Sequence, residues 1–279
     1  MELKAKHSEI ELSAPTHKVS CLGPEGSYSE RAASELCGGY EVVLCQRFSE
    51  VVQKLMAGEV DYAVLPVENS ISGGVLESLD LLENEDIFGT AEVLLPIDHR
   101  LALLEGVSKS DIKNIYSHVQ AISQSIGYLT ENFPNAEYIP TLSTAESLKK
   151  LDACSAGIVG AHVHKEGVIL SSENIADSKG NFTRFLRVER KKEIPSHSIM
   201  VFFCAVCPDR PGALIGLLKI LFNYGLSMTR IESRPVKNSF GNYRFFIEFA
   251  GNLGNDRVKK ALAEIEAYSA AFKLLGAYN

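Results

Sequence analysis

The segment of this chain richest in reactive side chains is Asn181-Phe182-Thr183-Arg184-Phe185, which follows Gly180 and sets a hydroxyl beside a permanent cation. Thr183 can donate a hydrogen bond, and Arg184 can pair with a carboxylate. The residues after them, 185–188, are apolar and read as a strand. Neighbouring strand side chains point to opposite faces, so only one of the two need line a cleft. Taken alone, a strand threonine is as well explained by a bond to nearby backbone. Arg184 either meets a carboxylate or braces the fold by an ion pair.

Four other polar segments stand between an apolar run and a helical pattern. They are Gly23-Pro24-Glu25-Gly26-Ser27, Glu68-Asn69-Ser70-Ile71-Ser72-Gly73-Gly74, Ser117-His118-Val119-Gln120 and Ser143-Thr144-Ala145-Glu146. Ser27 with Glu30, and Ser143 with Glu146, have the spacing of a capping box. Helix starts offer unpaired N–H groups and the positive end of a dipole, which suit small anions. One such junction alone is a helix cap. Several of them beyond the carboxyl ends of parallel strands point to a cleft for an anionic small molecule.

The elements that must position these segments alternate. Strands are expected at 19–22, 41–45 and 62–67, and helices at 27–37, 49–56 and 75–82. Longer strands at 87–95 and 101–104 lead into a second set. Its strands are expected at 114–117, 137–140 and 156–160, and its helices at 121–132 and 144–151. A late strand falls at 183–188. Such alternation implies parallel strands with helical crossovers, and two sets imply two lobes with a cleft between them. The polar stretch 189–198 reads as a linker. After it, strands at 199–206, 226–231, 243–249 and 271–275 and helices at 213–223 and 256–268 give βαββαβ, the ferredoxin-like order. Leu214, Leu217, Leu218, Leu221 and Phe222 are expected to pack its first helix onto the sheet.

Composition narrows the function classes. The 279 residues are 46% apolar and 23% charged, with a net charge of −7. That balance disfavours nucleic acid as a partner, which calls for a basic patch. The first residues form no apolar leader, and no run reaches the roughly 18 residues of a membrane span. The expected location is the cytoplasm, without membrane attachment. The six cysteines are scattered through apolar segments, so no disulfide framework or zinc site is expected, and Cys204 and Cys207 read as buried thiols in a strand. His162 and His164 read as a solvated helix start.

The motifs together resemble prephenate dehydratases from about residue 18 to the end of the chain. Gly23-Pro24-Glu25-Gly26-Ser27-Tyr28-Ser29-Glu30 is similar to the family's first signature. Leu65-Pro66-Val67-Glu68-Asn69-Ser70 is similar to its "PxENS" signature, with Val67 where Ile is usual. Ser117-His118-Val119-Gln120-Ala121 resembles "SHPQA", with Val119 for proline. Ser143–Glu146 and Asn181–Phe185 fit "STAE" and "NxTRF". Gly212-Ala213-Leu214-Ile215 and Glu232-Ser233-Arg234-Pro235 resemble the "GALV" and "ESRP" segments of the family's ACT domain.

This resemblance implies an α/β protein with a two-lobed catalytic domain of the type II periplasmic-binding-protein kind at 17–190. Lobe 1 is expected at about 17–97 plus 175–190, lobe 2 at about 98–174, and a ferredoxin-like ACT domain at 199–279. It implies conversion of prephenate to phenylpyruvate, without metal or organic cofactor, and inhibition by L-phenylalanine. Thr183 is the residue it most directly supports as catalytic, with Glu146 an alternative proton source if burial raises its pKa. Asn69, Ser70, Ser117, Gln120, Gln124, Thr144 and Arg184 are carried over as substrate contacts, and Phe185 as packing beside the ring. Gly212, Ala213, Leu214, Glu232, Ser233, Arg234 and Pro235 are carried over as the phenylalanine site, at an interface of a homodimer or homotetramer. Arogenate dehydration and non-catalytic amino-acid sensing remain open as alternatives. A fused chorismate mutase is not expected, since no helical domain precedes residue 18.

Overall fold

The computed structural model describes residues 17–190, 195, 197–236 and 242–279. β1 (Lys18–Leu22), β2 (Glu41–Cys45) and β3 (Tyr62–Asn69) are parallel, with α1 (Tyr28–Leu36) and α2 (Phe48–Ala57) as crossovers. Ser27 caps α1 by accepting from the Glu30 amide at 3.2 Å. Gly58, at φ +75°, ends α2 in the left-handed conformation that glycine adopts without strain. The two-residue strand β4 (Gly73–Gly74) folds back on the end of β3, and α3 (Leu76–Asn84) leads into β5 (Ile87–Pro96).

The chain then enters a second sheet made of β6 (His99–Leu104), β7 (Asn114–His118), β8 (Glu137–Thr141), β9 (Ser155–Gly160) and β10 (Val168–Leu170). Its order is β10-β6-β9-β7-β8, with α4 (Val119–Gln124) and α5 (Ile126–Asn132) after β7. β11 (Phe182–Arg190) returns to the first sheet and lies antiparallel between β3 and β5. The ferredoxin-like part follows as β12 (Met200–Val206), α6 (Ala213–Asn223), β13 (Met228–Pro235), β14 (Tyr243–Ala250), α7 (Asp256–Tyr268) and β15 (Ala271–Tyr278).

Its strands do not form a separate sheet. β15 runs parallel to β5, paired at Gly276 and Gly89, and the first sheet continues as β13-β14-β12-β15-β5-β11-β3-β1-β2. Glycine suits that seam, because a Cβ on Gly276 would come 3.1 Å from the Gly89 carbonyl oxygen, a tight approach. The core crosses the seam too: Leu186 and Val188 of β11 belong to the same buried cluster as Phe202, Cys204, Phe246 and Tyr278.

Several expectations need correction. The helix expected at 121–132 breaks at Ser125, and the Asp177 carboxylate accepts from the Gly127 and Tyr128 amides at 2.8 and 3.0 Å to start a new helix there. The helix expected at 144–151 is a single 3-10 turn, Ala145–Lys149. Ser143 Oγ accepts from the Glu146 amide at 3.1 Å, but Glu146 reaches back to the Leu142 amide and not to that of Ser143, so only half of the capping box forms, and the Ser147 hydroxyl donates to the Thr144 carbonyl at 2.6 Å. Residues 161–166 form no helix. His162 is half-buried against the Tyr28 ring, 4.6 Å between centroids, with Nε2 3.1 Å from the Gly26 carbonyl. In α6 the inward face is Ala213, Leu217, Ile220 and Leu221, while Phe222 is 80% exposed. Part of the expected linker, 191–194 and 196, lies outside the described residues. No helix among the described residues is long and apolar enough to cross a membrane.

Candidate active site

An irregularity in β3 creates the centre of the site. Along β11, Phe185 pairs with Pro66 and Arg184 with Glu68, so Val67 is an extra residue in β3. Pro66 has no N–H to give the ladder, and the bulge follows it directly. A bulge reverses the in-out alternation beyond it. Asn69 is thereby turned to the face of its partner Thr183 instead of the face of Leu65. The Val67 carbonyl is satisfied outside the ladder, by the Val75 amide at 3.0 Å and by Arg230 Nη2 at 3.2 Å.

Asn69 is 7% exposed and fully engaged. Its Oδ1 accepts from the backbone amides of Ile71 and Ser72 at 3.1 and 3.0 Å and from the Ser72 hydroxyl at 3.0 Å. Its Nδ2 lies 2.7 Å from Asn181 Oδ1, 3.1 Å from the Phe182 carbonyl and 3.0 Å from Thr183 Oγ1. Backbone amides can only donate, so the orientation of this carboxamide is unambiguous. Thr183 Oγ1 is therefore an acceptor towards Asn69, which leaves its own proton available to a molecule in the cleft.

That cleft has a volume of about 240 Å³ and draws its walls from both sheets. Asn69, Thr183 and Asn181 face Gln120, Gln124 and Thr144, with Tyr28, His99 and His118 at its sides. Among the described residues, no lysine, arginine, aspartate or glutamate lines it. The Tyr28 hydroxyl donates to the Asp98 carbonyl at 2.8 Å and accepts from the Asp98 amide at 2.9 Å, tying α1 to the crossing between the sheets. Burial pushes this phenol up to about 12, so it stays protonated.

Other expected residues are not brought into the cleft. Ser117 is wholly buried and donates to the Ile158 carbonyl at 2.8 Å. The Ser70 hydroxyl bridges the Gly180 carbonyl and the Phe182 amide, at 3.3 and 2.9 Å, and so shapes the turn before Thr183. The Glu146 carboxylate caps the Leu142 amide at 3.0 Å. Phe185 shares the face of Thr183 but lies deeper, in the core with Val19, Ala32 and Leu95.

Arg184 takes the brace, not the ligand. It emerges on the opposite face, where Nη1 is 2.7 Å from both Glu248 carboxylate oxygens and Nη2 is 2.8 Å from Glu68. Glu92 stands 3.4 Å away. Glu248, on β14, is 2% exposed and also accepts from Thr229 at 3.0 Å and from Tyr278 at 2.5 Å. Burial, and then the Glu248 carboxylate, raise the Tyr278 phenol well above its ordinary value.

Tyr28 and His118 sit inside quoted signatures and were findable there. His99 carried no signal beyond a lone histidine in an apolar strand. A second cavity, of about 330 Å³, is lined by Gly212, Ala213 and Leu214 with Asn242, Tyr243 and Phe245. Glu232, Ser233, Arg234 and Pro235 do not line it. Glu232 pairs with Arg230 at 2.8 Å, and Arg234 with Asp80 at 3.5 Å.

Similarity to known proteins agrees with this geometry. Residues 19–193 match the family model described as prephenate dehydratase, and 201–267 match the ACT domain. A prephenate dehydratase of Amycolatopsis methanolica is 31% identical over 271 residues, covering 94% of this chain and 88% of its own. A bifunctional chorismate mutase/prephenate dehydratase of Aquifex aeolicus is 32% identical over 266 residues, covering 94% and 73%. The crystal structure of a prephenate dehydratase from Arthrobacter aurescens in complex with L-Phe superposes with a TM-score of 0.84 at 34% identity, covering 94% and 89%. Fold and cleft thus define a two-lobed hydro-lyase joined to an ACT regulatory domain. The chain belongs to the prephenate dehydratase family.

Proposed function

We propose that this chain binds prephenate in the cleft between Asn69, Thr183 and Gln120 and converts it to phenylpyruvate, CO2 and water, with L-phenylalanine acting through the ACT domain. The observation that carries the reading is the Asn69–Thr183 hydrogen bond, 3.0 Å long, which leaves the Thr183 proton directed away from Asn69. Prephenate carries two carboxylates and a ring hydroxyl. The bond to the ring carboxylate breaks and releases CO2, its electron pair enters the ring, and the C–O bond to the hydroxyl breaks; the departing hydroxide, held by a hydrogen bond, takes one proton from solvent and leaves as water. Aromatisation supplies the driving force, so the barrier lies in expelling a poor leaving group. Thr183 donates to the departing oxygen, and the hydrogen bond it accepts from Asn69 polarises its own O–H. As a weak acid it stabilises the leaving group by hydrogen bonding. A departing carboxylate is better left unpaired, and among the described residues no lysine or arginine lines the cleft to hold it. Gln120, Thr144 and the amides around Ser143 are the donors suited to the side-chain carboxylate.

The test is Thr183→Ala assayed by phenylpyruvate formation. Turnover should fall at least ~100-fold, the low end for lost acid–base assistance. Near-normal turnover would remove Thr183 from the mechanism. Parallel assays on arogenate, and the absence of any product, address the two alternatives.

The cavity beside Gly212 suits a phenylalanine, with Tyr243 and Phe245 for its ring. Its separation from Glu232–Pro235 within one chain favours completion by a second copy, as do the exposed apolar residues Ile215 and Phe222. The protein accordingly acts as a homodimer or homotetramer, in the cytoplasm.

A further inference from the structure

The carboxamides around Thr183 continue into the second sheet, and their orientations can be followed from one to the next. Asn69 presents Nδ2 to Asn181, so the Asn181 atom 2.7 Å away must be Oδ1. Asn181 then points Nδ2 onward, 3.1 Å from Gln124, whose atom there must be Oε1. The same Gln124 oxygen lies 3.0 Å from Nε2 of His99. An oxygen cannot donate, so Nε2 carries the proton. The anchor of this deduction is the pair of backbone amides on Asn69 Oδ1, which no flip can reverse.

The rest of the His99 environment agrees. The ring is 3% exposed, and burial lowers its pKa, so it is neutral at physiological pH. Nδ1 is buried and makes no hydrogen bond. In the Nε2–H form this leaves a lone pair unused, while the other tautomer would bury an unpaired N–H and set two lone pairs against each other at Gln124. An orphaned donor is the rarer and costlier defect. The backbone of His99 is fixed as well, with its amide donating to Asn174 Oδ1 at 3.1 Å and its carbonyl accepting from the Ile175 amide at 2.9 Å.

We infer that His99, as the neutral Nε2–H tautomer, is a positioning residue for the reaction: it holds Gln124, and through Asn181 and Asn69 it keeps the Thr183 hydroxyl aimed into the cleft. His99 and Gln124 stand on the second-sheet side, Asn69, Asn181 and Thr183 on the first, so the chain of amides also registers the two sides against each other. The inference rests on the proposed role of Thr183 for its kinetic consequence, but not for the tautomer itself.

The tautomer is read directly from the two ring nitrogens of His99 in a long-range 15N–1H spectrum of the full-length protein at about pH 8, where an ordinary histidine is neutral. Assignment comes from the signals lost in His99→Gln. The expected result is a pyrrole-type Nε2 and a pyridine-type Nδ1, and the reverse assignment overturns the inference. Kinetically, His99→Leu removes the donor and should lower kcat by about 10- to 100-fold with a smaller change in KM, the scale of a misplaced catalytic group. His99→Gln restores a donor near the position of Nε2 and should recover most of that loss. Two results would sink the idea: a His99→Leu kcat within about twofold of wild type, or a His99→Gln kcat as low as that of His99→Leu. If His99→Leu fails to fold, the spectrum and His99→Gln still decide. Normal turnover in Thr183→Ala together with the expected tautomer would refute the Thr183 reading and not the amide chain.

Discussion

Thr183 and Arg184 are neighbours in β11 that serve opposite faces of one sheet. The Thr183 hydroxyl is 3.0 Å from Asn69 at the cleft, and the Arg184 guanidinium is 2.7 Å from Glu248 of the ferredoxin-like part. A single peptide bond thus separates the residue held by the ferredoxin-like part from the one whose hydroxyl faces the cleft.

Arg184→Met should be severely destabilising. It strands Glu248, 2% exposed, among Glu68 and Glu92 without the cation they share. Breaking a buried pair from one side costs about 3–5 kcal/mol. Urea unfolding should show that loss, and adding Glu248→Gln should return part of it because the stranded charge is then removed.

Gly276→Ala tests the seam between the two parts. The new methyl would press on the Gly89 carbonyl and Cα, at 3.1 and 3.2 Å, and backbone cannot move aside as a side chain can. A loss of about 1–3 kcal/mol is expected from overpacking. A thermal melt unchanged from wild type would mean that the seam is looser than its geometry.

Gly212 has φ +79°, a conformation that costs other residues about 1–2 kcal/mol. Gly212→Ala should reshape the loop over the second cavity and weaken L-phenylalanine binding about tenfold, as measured by calorimetry. Unchanged affinity would place the effector elsewhere.

Alkali should unfold the protein through its buried acids. Burial raises the Cys21 and Cys204 thiols from 9.0 to about 12 and the Tyr28 phenol from 10.0 to about 12. Each binds its proton more tightly when folded, so its contribution is complete below the unfolded value and is lost as pH rises from about 9 to about 12. Urea midpoints should fall across that window. In the native state near neutral pH, Cys154 is the partly exposed thiol and should react first with a thiol reagent, while the five buried ones wait for unfolding.

The alternation of apolar runs made most strands and helices legible, and α6 and α7 match their expected bounds. Asn69, Gln120, Thr144 and Thr183 line the cleft from polar junctions, where the chemistry is local, whereas Gln124 reaches it from the end of α4, inside what the pattern reads as one helix. What was not legible depends on distant partners. Strand parity separates Thr183 from Arg184 but cannot say which faces the cleft; that is settled by Glu248, 64 residues away. Parity also misleads for Asn69, since the extra residue Val67 is visible only in the pairing of β3 with β11. His99 gains its meaning from Gln124, and no motif joins them.

The shared sheet has a consequence for anyone trimming this protein. Cutting away the C-terminal part would strip β15 from beside β5 and Glu248 from Arg184, leaving a raw strand border and a guanidinium held only by Glu68 and Glu92. Unpaired borders of that kind recruit other chains. The regulatory part is thus also a structural cover, and a shortened enzyme that clumped would report the lost cover before it reported anything about control.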